Sequence, residues 1–287
     1  MNKQVDPDLI EPEVEKQILE KLRLIEQEHD VQILFVVESG SRAWGFPSPD
    51  SDYDARFVYA RSVDWYLSID PGRDVIELPI EGDLDINGWD IQKALGLLLK
   101  PNPVLLEWLS SPVRYHWNEK VCDQLISLSK GIAHNRACLH HYIGVGEGSF
   151  ARTIAGKDAV SIKKYFYVLR PAMALRWVRM HPDAIPPMNF QELMRGVDLP
   201  NDLTRLIGEL LEKKRVTKEM GEAPRIKELD DFAITEFAQA KAVAPDAIKP
   251  DRQNKTAADE LFRSIVKGDA GGSSVTQSDP QNSETVK

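Results

Sequence analysis

The chain has 287 residues, of which 42% are hydrophobic and 28% charged, and its formal net charge is −9. This is the composition of a soluble globular protein with one substantial domain or two small ones, and the acidic balance excludes a broad cationic footprint for duplex nucleic acid while leaving room for a local basic groove. Two cysteines, Cys122 and Cys138, are too few for a disulfide framework and lack zinc-site spacing, so no zinc is expected.

The first residues, Met1 to Pro7, carry no apolar leader, and no span reaches the length of a membrane helix, so the expected compartment is the cytoplasm, with no membrane partner. From Pro12 to about Asp30, Val14, Ile18, Leu22 and Ile25 recur at helical spacing with glutamates on the other face. An apolar strand, about Gln32 to Ser39, runs into Gly40-Ser41, and Arg42-Ala43-Trp44 reads as a short helical turn. A loop through Pro47-Ser48-Pro49-Asp50 leads to Asp52 and to a second strand, about Tyr53 to Ala60.

This stretch carries the chemistry. Side chains at i and i+2 of a strand share a face, so Asp52 and Asp54 project together. Two such carboxylates repel unless a cation lies between them, and hard cations such as magnesium prefer oxygen ligands. A Gly-Ser turn after a strand presents backbone N–H groups that suit phosphate. A phosphate cradle beside paired carboxylates is the equipment of metal-assisted phosphoryl chemistry. Each motif alone is commonplace in solvated loops; together, a short loop apart, they are specific.

Beyond it, Val63 to Leu67 reads as a short helix, and Asp74 to Ile80 and Leu84 to Ile91 as extended pieces joined by a hairpin turn at Glu81-Gly82-Asp83. The second piece holds two further carboxylates, Asp85 in mid-strand and Asp90 just before a helix, where an N-cap is the bland alternative. Helices follow at Ile91 to Lys100 and Val104 to Leu109. Helical spacing then dominates, over Asn118 to Lys130, Ala133 to Gly146, Ala159 to Met180, Asn201 to Lys214 and Ile226 to Lys241. Gly144, Gly146 and Gly148 read as a flexible connection. On the helix from Ala159, Lys164, Tyr167 and Arg170 fall at i, i+3 and i+6 on one face. They are the best basic cluster to set opposite the carboxylates, where phosphate transfer needs cations.

The residues Ser39, Gly40, Ser41, loop, Asp52, Tyr53, Asp54 resemble the active-site signature of nucleotidyltransferases of the DNA polymerase beta superfamily: a small residue, Gly, Gly or Ser, a loop, then Asp, a hydrophobic residue, and Asp or Glu. The fuller strings Gly-Ser-Arg-Ala-Trp-Gly-Phe and Ser-Asp-Tyr-Asp resemble in particular the predicted nucleotidyltransferases sometimes encoded beside RNA ligases. The resemblance continues through Asp90 to Leu95, Asn102-Pro103, Glu107 to Leu109 and Lys164 to Pro171, and covers most of the chain to about Phe237.

It implies an α+β fold, a polymerase-beta-like core with a small mixed sheet over residues 1–115, then an all-helical domain over 116–267 that closes a nucleotide cleft; a polar tail, 268–287, is expected to be disordered. It implies transfer of a nucleoside monophosphate from an NTP, ATP first among them, to an acceptor hydroxyl on an RNA end, a protein or a small molecule, with pyrophosphate leaving. Asp52 and Asp54 would hold two Mg2+ ions, with Mn2+ as a substitute. Superfamily members add a third carboxylate, for which Asp90 is preferred narrowly over Asp85. Gly40, Ser41 and Arg42 would hold the phosphates with Lys164, Tyr167 and Arg170. The alternative is a nucleotide-binding or sensor module without chemistry on the same fold.

Overall fold

The computed structural model describes residues 9–100, 102–130, 134–182, 184–216, 221–244 and 252–268. The expected tail lies almost wholly outside them. The fold is α+β, built on a five-stranded mixed sheet.

Helix α1, Pro12–His29, opens with Pro at its first turn and ends on Asp30 in the left-handed region. It lays Ile18, Leu22 and Ile25 on one face of the sheet. Strand β1, Val31–Glu38, pairs antiparallel with β2, Tyr53–Arg61, and a bulge between Ile33 and Phe35 changes the phase of its alternation. Ile33 and Val36 therefore pack towards α1, whereas Phe35 and Val37 pack towards the helices of the second half.

Helix α2, Val63–Tyr66, leads to the edge strand β3, Val75–Glu77, which turns through Gly82, at φ +60°, into β4, Leu84–Asp90. Strand β4 runs parallel to β2 with Asp54 opposite Asp85 and Tyr59 opposite Asp90. Helix α3, Ile91–Leu99, starts directly on Asp90, and α4, Pro103–Leu109, follows after Asn102 caps it. Strand β5, Arg114–Trp117, returns to pair with β1 and completes the order β3-β4-β2-β1-β5. Its four residues are too few to show a period, and the sequence reading passes over them.

The second half is mainly helical: α5, Glu119–Lys130; α6, His134–Thr153; α7, Ile162–Met180; α8, Phe190–Gly196; α9, Asn201–Val216; α10, Lys227–Val243; and α11, Arg252–Val266. A two-stranded ribbon, β6, Ala159–Ser161, with β7, Glu222–Pro224, precedes α7. Helix α7 thus begins three residues later than its periodicity suggests. The expectation of a flexible connection at Gly144, Gly146 and Gly148 is corrected: all three lie inside α6. At Gly146 the reason is packing, since a Cβ there would come within 2.4 Å of the Phe237 ring on α10.

A single apolar cluster joins Leu34, Phe35, Val37 and Val58 of the sheet to α3 through α11. The helical half therefore shares its core with the sheet, and α11 comes back to pack on α3, α5 and β2. Among the described residues no helix is long and apolar enough to cross a membrane.

Candidate nucleotide cleft

The alternation of β2 divides its side chains cleanly. Tyr53, Ala55, Phe57 and Tyr59 bury themselves towards α1. Asp52, just before the strand, Asp54 and Arg56 take the other face, at the end of the sheet where β1 stops. The parallel register then brings Asp85 beside Asp54. Arg56 links the two: its Nη2 lies 3.0 Å from Asp54 Oδ1 and 2.7 Å from Asp85 Oδ2. Burial pushes the Asp54 carboxyl above the usual carboxylate range; Arg56 pulls it back, while Asp85 and Asp52 push it further up.

Above the carboxylates the chain turns at Gly40. A Cβ there would sit 1.8 Å from Asp54 Oδ2, so only glycine lets the turn pass over this carboxylate. The turn closes with Trp44 N–H donating to Gly40 O, which leaves its first amides outside the turn's own ladder. Its base is fastened by Glu38. That carboxyl is fully buried and accepts the Asp54 amide at 2.8 Å and the Tyr115 hydroxyl at 2.6 Å; burial, opposed by these bonds, pushes it up to about 7.

A cleft of about 390 Å³ opens over this platform. Ser39, Gly40, Ser41, Trp44, Ser48, Asp50, Ser51, Asp52 and Asp54 line one side, and Lys163, Tyr167 and Lys214 the other. Tyr167 is half-exposed and meets Trp44 edge to face, with ring centroids 5.8 Å apart. Lys163 Nζ bonds both oxygens of Asp50, at 3.0 and 2.8 Å. Lys214 is 3% exposed, with its ammonium on Phe46 O and above the Phe46 ring. Its amine is pushed down to about 8, first by burial and then by Lys163.

The structure brings together Gly40, Ser41, Asp52, Asp54 and Tyr167, and adds Asp85. It does not bring four other expected residues to the cleft. Asp90 leaves β4 on the face opposite Asp85, about 17 Å further along at roughly 3.3 Å per residue. There its Oδ1 caps α3 by accepting the Gln92 amide at 2.8 Å, and its Oδ2 accepts the Tyr66 hydroxyl at 2.9 Å. Arg42 is spent on backbone: it donates to Asp52 O, Leu9 O and Ser51 O, and lies over the Tyr53 ring. Lys164 is exposed beside Tyr167, and its neighbour Lys163 faces the cleft instead. Arg170 is buried, pairs with Glu107 at 3.0 Å and stacks under the Trp44 ring. It braces a cleft wall rather than forming one.

Sequence reasoning missed Arg56, Lys163 and Lys214 as site residues. For Arg56 a signal was present: Asp52, Asp54 and Arg56 follow the same i, i+2 alternation. For Lys214 there was none, because its place depends on how α9 docks.

Among the described residues, no group of three or more His, Cys, Asp or Glu converges as a metal cage. Two facing carboxylates at a polar cleft still suit magnesium, which keeps several waters and completes its shell with substrate phosphates.

Residues 14–264 match the RNA repair pathway DNA polymerase beta family. The chain is 41% identical over 253 residues to the uncharacterized protein YcgL of Bacillus subtilis (strain 168), covering 88% of this chain and 95% of that one. Among solved structures it is similar to a nucleotidyltransferase-like protein from Exiguobacterium sibiricum 255-15, at 13% identity and a TM-score of 0.28 over 87% of this chain and 80% of that one.

Proposed function

The chain belongs to the RNA repair pathway DNA polymerase beta family, and from that membership and the geometry of the cleft we propose that it is a metal-dependent nucleotidyltransferase. It moves a nucleoside monophosphate from an NTP to an acceptor hydroxyl, and pyrophosphate leaves. The observation that carries this reading is the stacking of Gly40 directly over Asp54, with Asp52 on the same face and two lysines across the cleft.

Asp52 and Asp54 would hold magnesium together with the triphosphate, and the ion would supply charge neutralisation for the displacement. The Ser41 amide and the amides that follow it in the turn donate to the outer phosphates from one side, the Gly40 amide being bonded to Glu38; Lys163 and Lys214 face them from the other. Tyr167, supported edgewise by Trp44, offers a face for the base. Asp85 replaces Asp90 as the third carboxylate. It stands beside Asp54, where it can take the proton of the incoming hydroxyl as that oxygen bonds to the α-phosphorus and the bond to pyrophosphate breaks. ATP is the first donor to try, and the family description favours an RNA end as acceptor over a protein hydroxyl or a small molecule.

The test is incubation with each α-labelled NTP, magnesium and acceptors from these three classes. Label on an acceptor with release of pyrophosphate supports the reading. Tight nucleotide binding without turnover would leave a sensor module, and release of inorganic phosphate would point to a hydrolase.

A further inference from the structure

Arg56 is anchored to sheet backbone on one side and to two carboxylates on the other. Its Nη1 donates to the backbone carbonyls of Asp85, at 2.7 Å, and Ala55, at 3.2 Å. These anchors belong to the sheet itself and do not depend on any carboxylate. They leave Nη2 aimed between Asp54 and Asp85, and the side chain is only 14% exposed. Asp85 is held from its other side as well, since Asn87 Nδ2 lies 3.4 Å from Oδ1. Both oxygens of Asp85 therefore have a donor from the protein.

The geometry points to Arg56 as an internal cation that stands where a second metal ion would otherwise bind. Arg56 bridges two carboxylates and balances one charge of that pair, which leaves one charge there and that of Asp52 for one divalent ion. Asp52 and the free side of Asp54 can take that ion with the triphosphate. A second divalent ion between Asp54 and Asp85 would meet a guanidinium fixed within hydrogen-bond distance of both, and like charges at that separation repel strongly in a partly buried site. Arg56 is thus a positioning residue: it holds Asp85 oriented without a metal, and it sets the stoichiometry of the site at one ion rather than two. The inference rests on the proposed nucleotidyl transfer but concerns ion count, which is measured without turnover.

The experiment counts Mn2+ bound per chain by electron paramagnetic resonance, in the presence of a non-hydrolysable NTP analogue. It compares the wild type with Arg56→Met and Arg56→Lys, each checked for folding by circular dichroism. The wild type and Arg56→Lys are expected to bind one ion. Arg56→Met is expected to bind a second, and to gain more thermal stability from Mn2+ than the wild type does, because the vacated charge is then supplied by metal. Two ions in the wild type would overturn the role of Arg56 and leave the proposed transfer standing. A folded Arg56→Met that still binds one ion would overturn it as well. If Arg56→Met does not fold, the wild-type and Arg56→Lys counts decide alone. No nucleotide-dependent Mn2+ binding in any of the proteins would overturn both the inference and the proposed function.

Discussion

The two ends of β4 hold one aspartate each, and they have opposite fates. Asp85 lies in register with Asp54 on the cleft face, touched by a guanidinium and an amide. Asp90 lies in register with Tyr59 at the far end, 1% exposed, capping a helix and accepting a tyrosine hydroxyl. Burial pushes the Asp90 carboxyl up, with the Gln92 amide and the Tyr66 hydroxyl pulling it back. The same side chain thus pairs with an arginine at one end and caps a helix at the other. What distinguishes them is the residue opposite on β2 and the parity of alternation, not the residue type.

The largest expected effect belongs to the cleft end. Asp54→Asn should lower transfer by about a thousandfold, or roughly 4 kcal/mol of transition-state stabilisation, while the fold persists. A rate within a few fold of wild type, with magnesium as the metal, would remove Asp54 from the chemistry. Gly40→Val should come close behind, because its side chain would occupy the space of Asp54 Oδ2. A crystal structure of that variant should show the Asp54 carboxylate displaced; an undisturbed carboxylate with full activity would break the link between turn and strand.

The middle of the range is electrostatic and lies across the cleft. A charged contact to phosphate is worth about 1.5–3 kcal/mol, so Lys214→Met should weaken NTP binding roughly tenfold to a hundredfold. The wild type adds a pH signature. The Lys214 amine falls from its ordinary 10.5 to about 8, so NTP affinity should hold steady below about pH 8 and decline above it as the ammonium is lost. Stability should move the other way. Between pH 8 and 10.5 the unfolded state binds the proton that the native state has released, so this residue's contribution to stability rises with pH. Calorimetric titration at several pH values checks both, and a flat profile in Lys214→Met is the control.

The smallest effect should be that of Lys164→Ala. Exposed beside Tyr167, this lysine should matter by a few tenths of a kcal/mol for stability and little for affinity. A tenfold loss of NTP affinity would return it to the cleft in place of Lys163.

Legibility in the sequence follows the range of the contacts. The unit from Val31 to Arg61 was readable because its chemistry is local: strand, glycine turn, loop, and two aspartates on one face. The choice between Asp85 and Asp90 needed the parallel pairing of β2 with β4, which no local pattern encodes. Arg170 sits in a basic helix yet faces inward to Glu107, a pairing that helical spacing alone does not give. Lys214 reaches the cleft only because α9 docks its last turns against Phe46, 168 residues earlier in the chain. The strands β5, β6 and β7 hold three or four residues each, too few for alternation to register.

The central claim is that the carboxylate of Asp85, and not that of Asp90, completes the site. Transfer rates per folded molecule for Asp85→Asn and Asp90→Asn, measured side by side with saturating NTP and magnesium, test it most directly. Asparagine keeps the oxygen that caps α3 but loses the one that accepts the Tyr66 hydroxyl, so Asp90→Asn should stay within about threefold of wild type in rate per folded molecule while losing about 1–3 kcal/mol of stability. Asp85→Asn should lose about a hundredfold or more, because a neutral amide can neither balance Arg56 nor accept a proton. The reverse order, or equal rates for the two variants, would contradict the assignment.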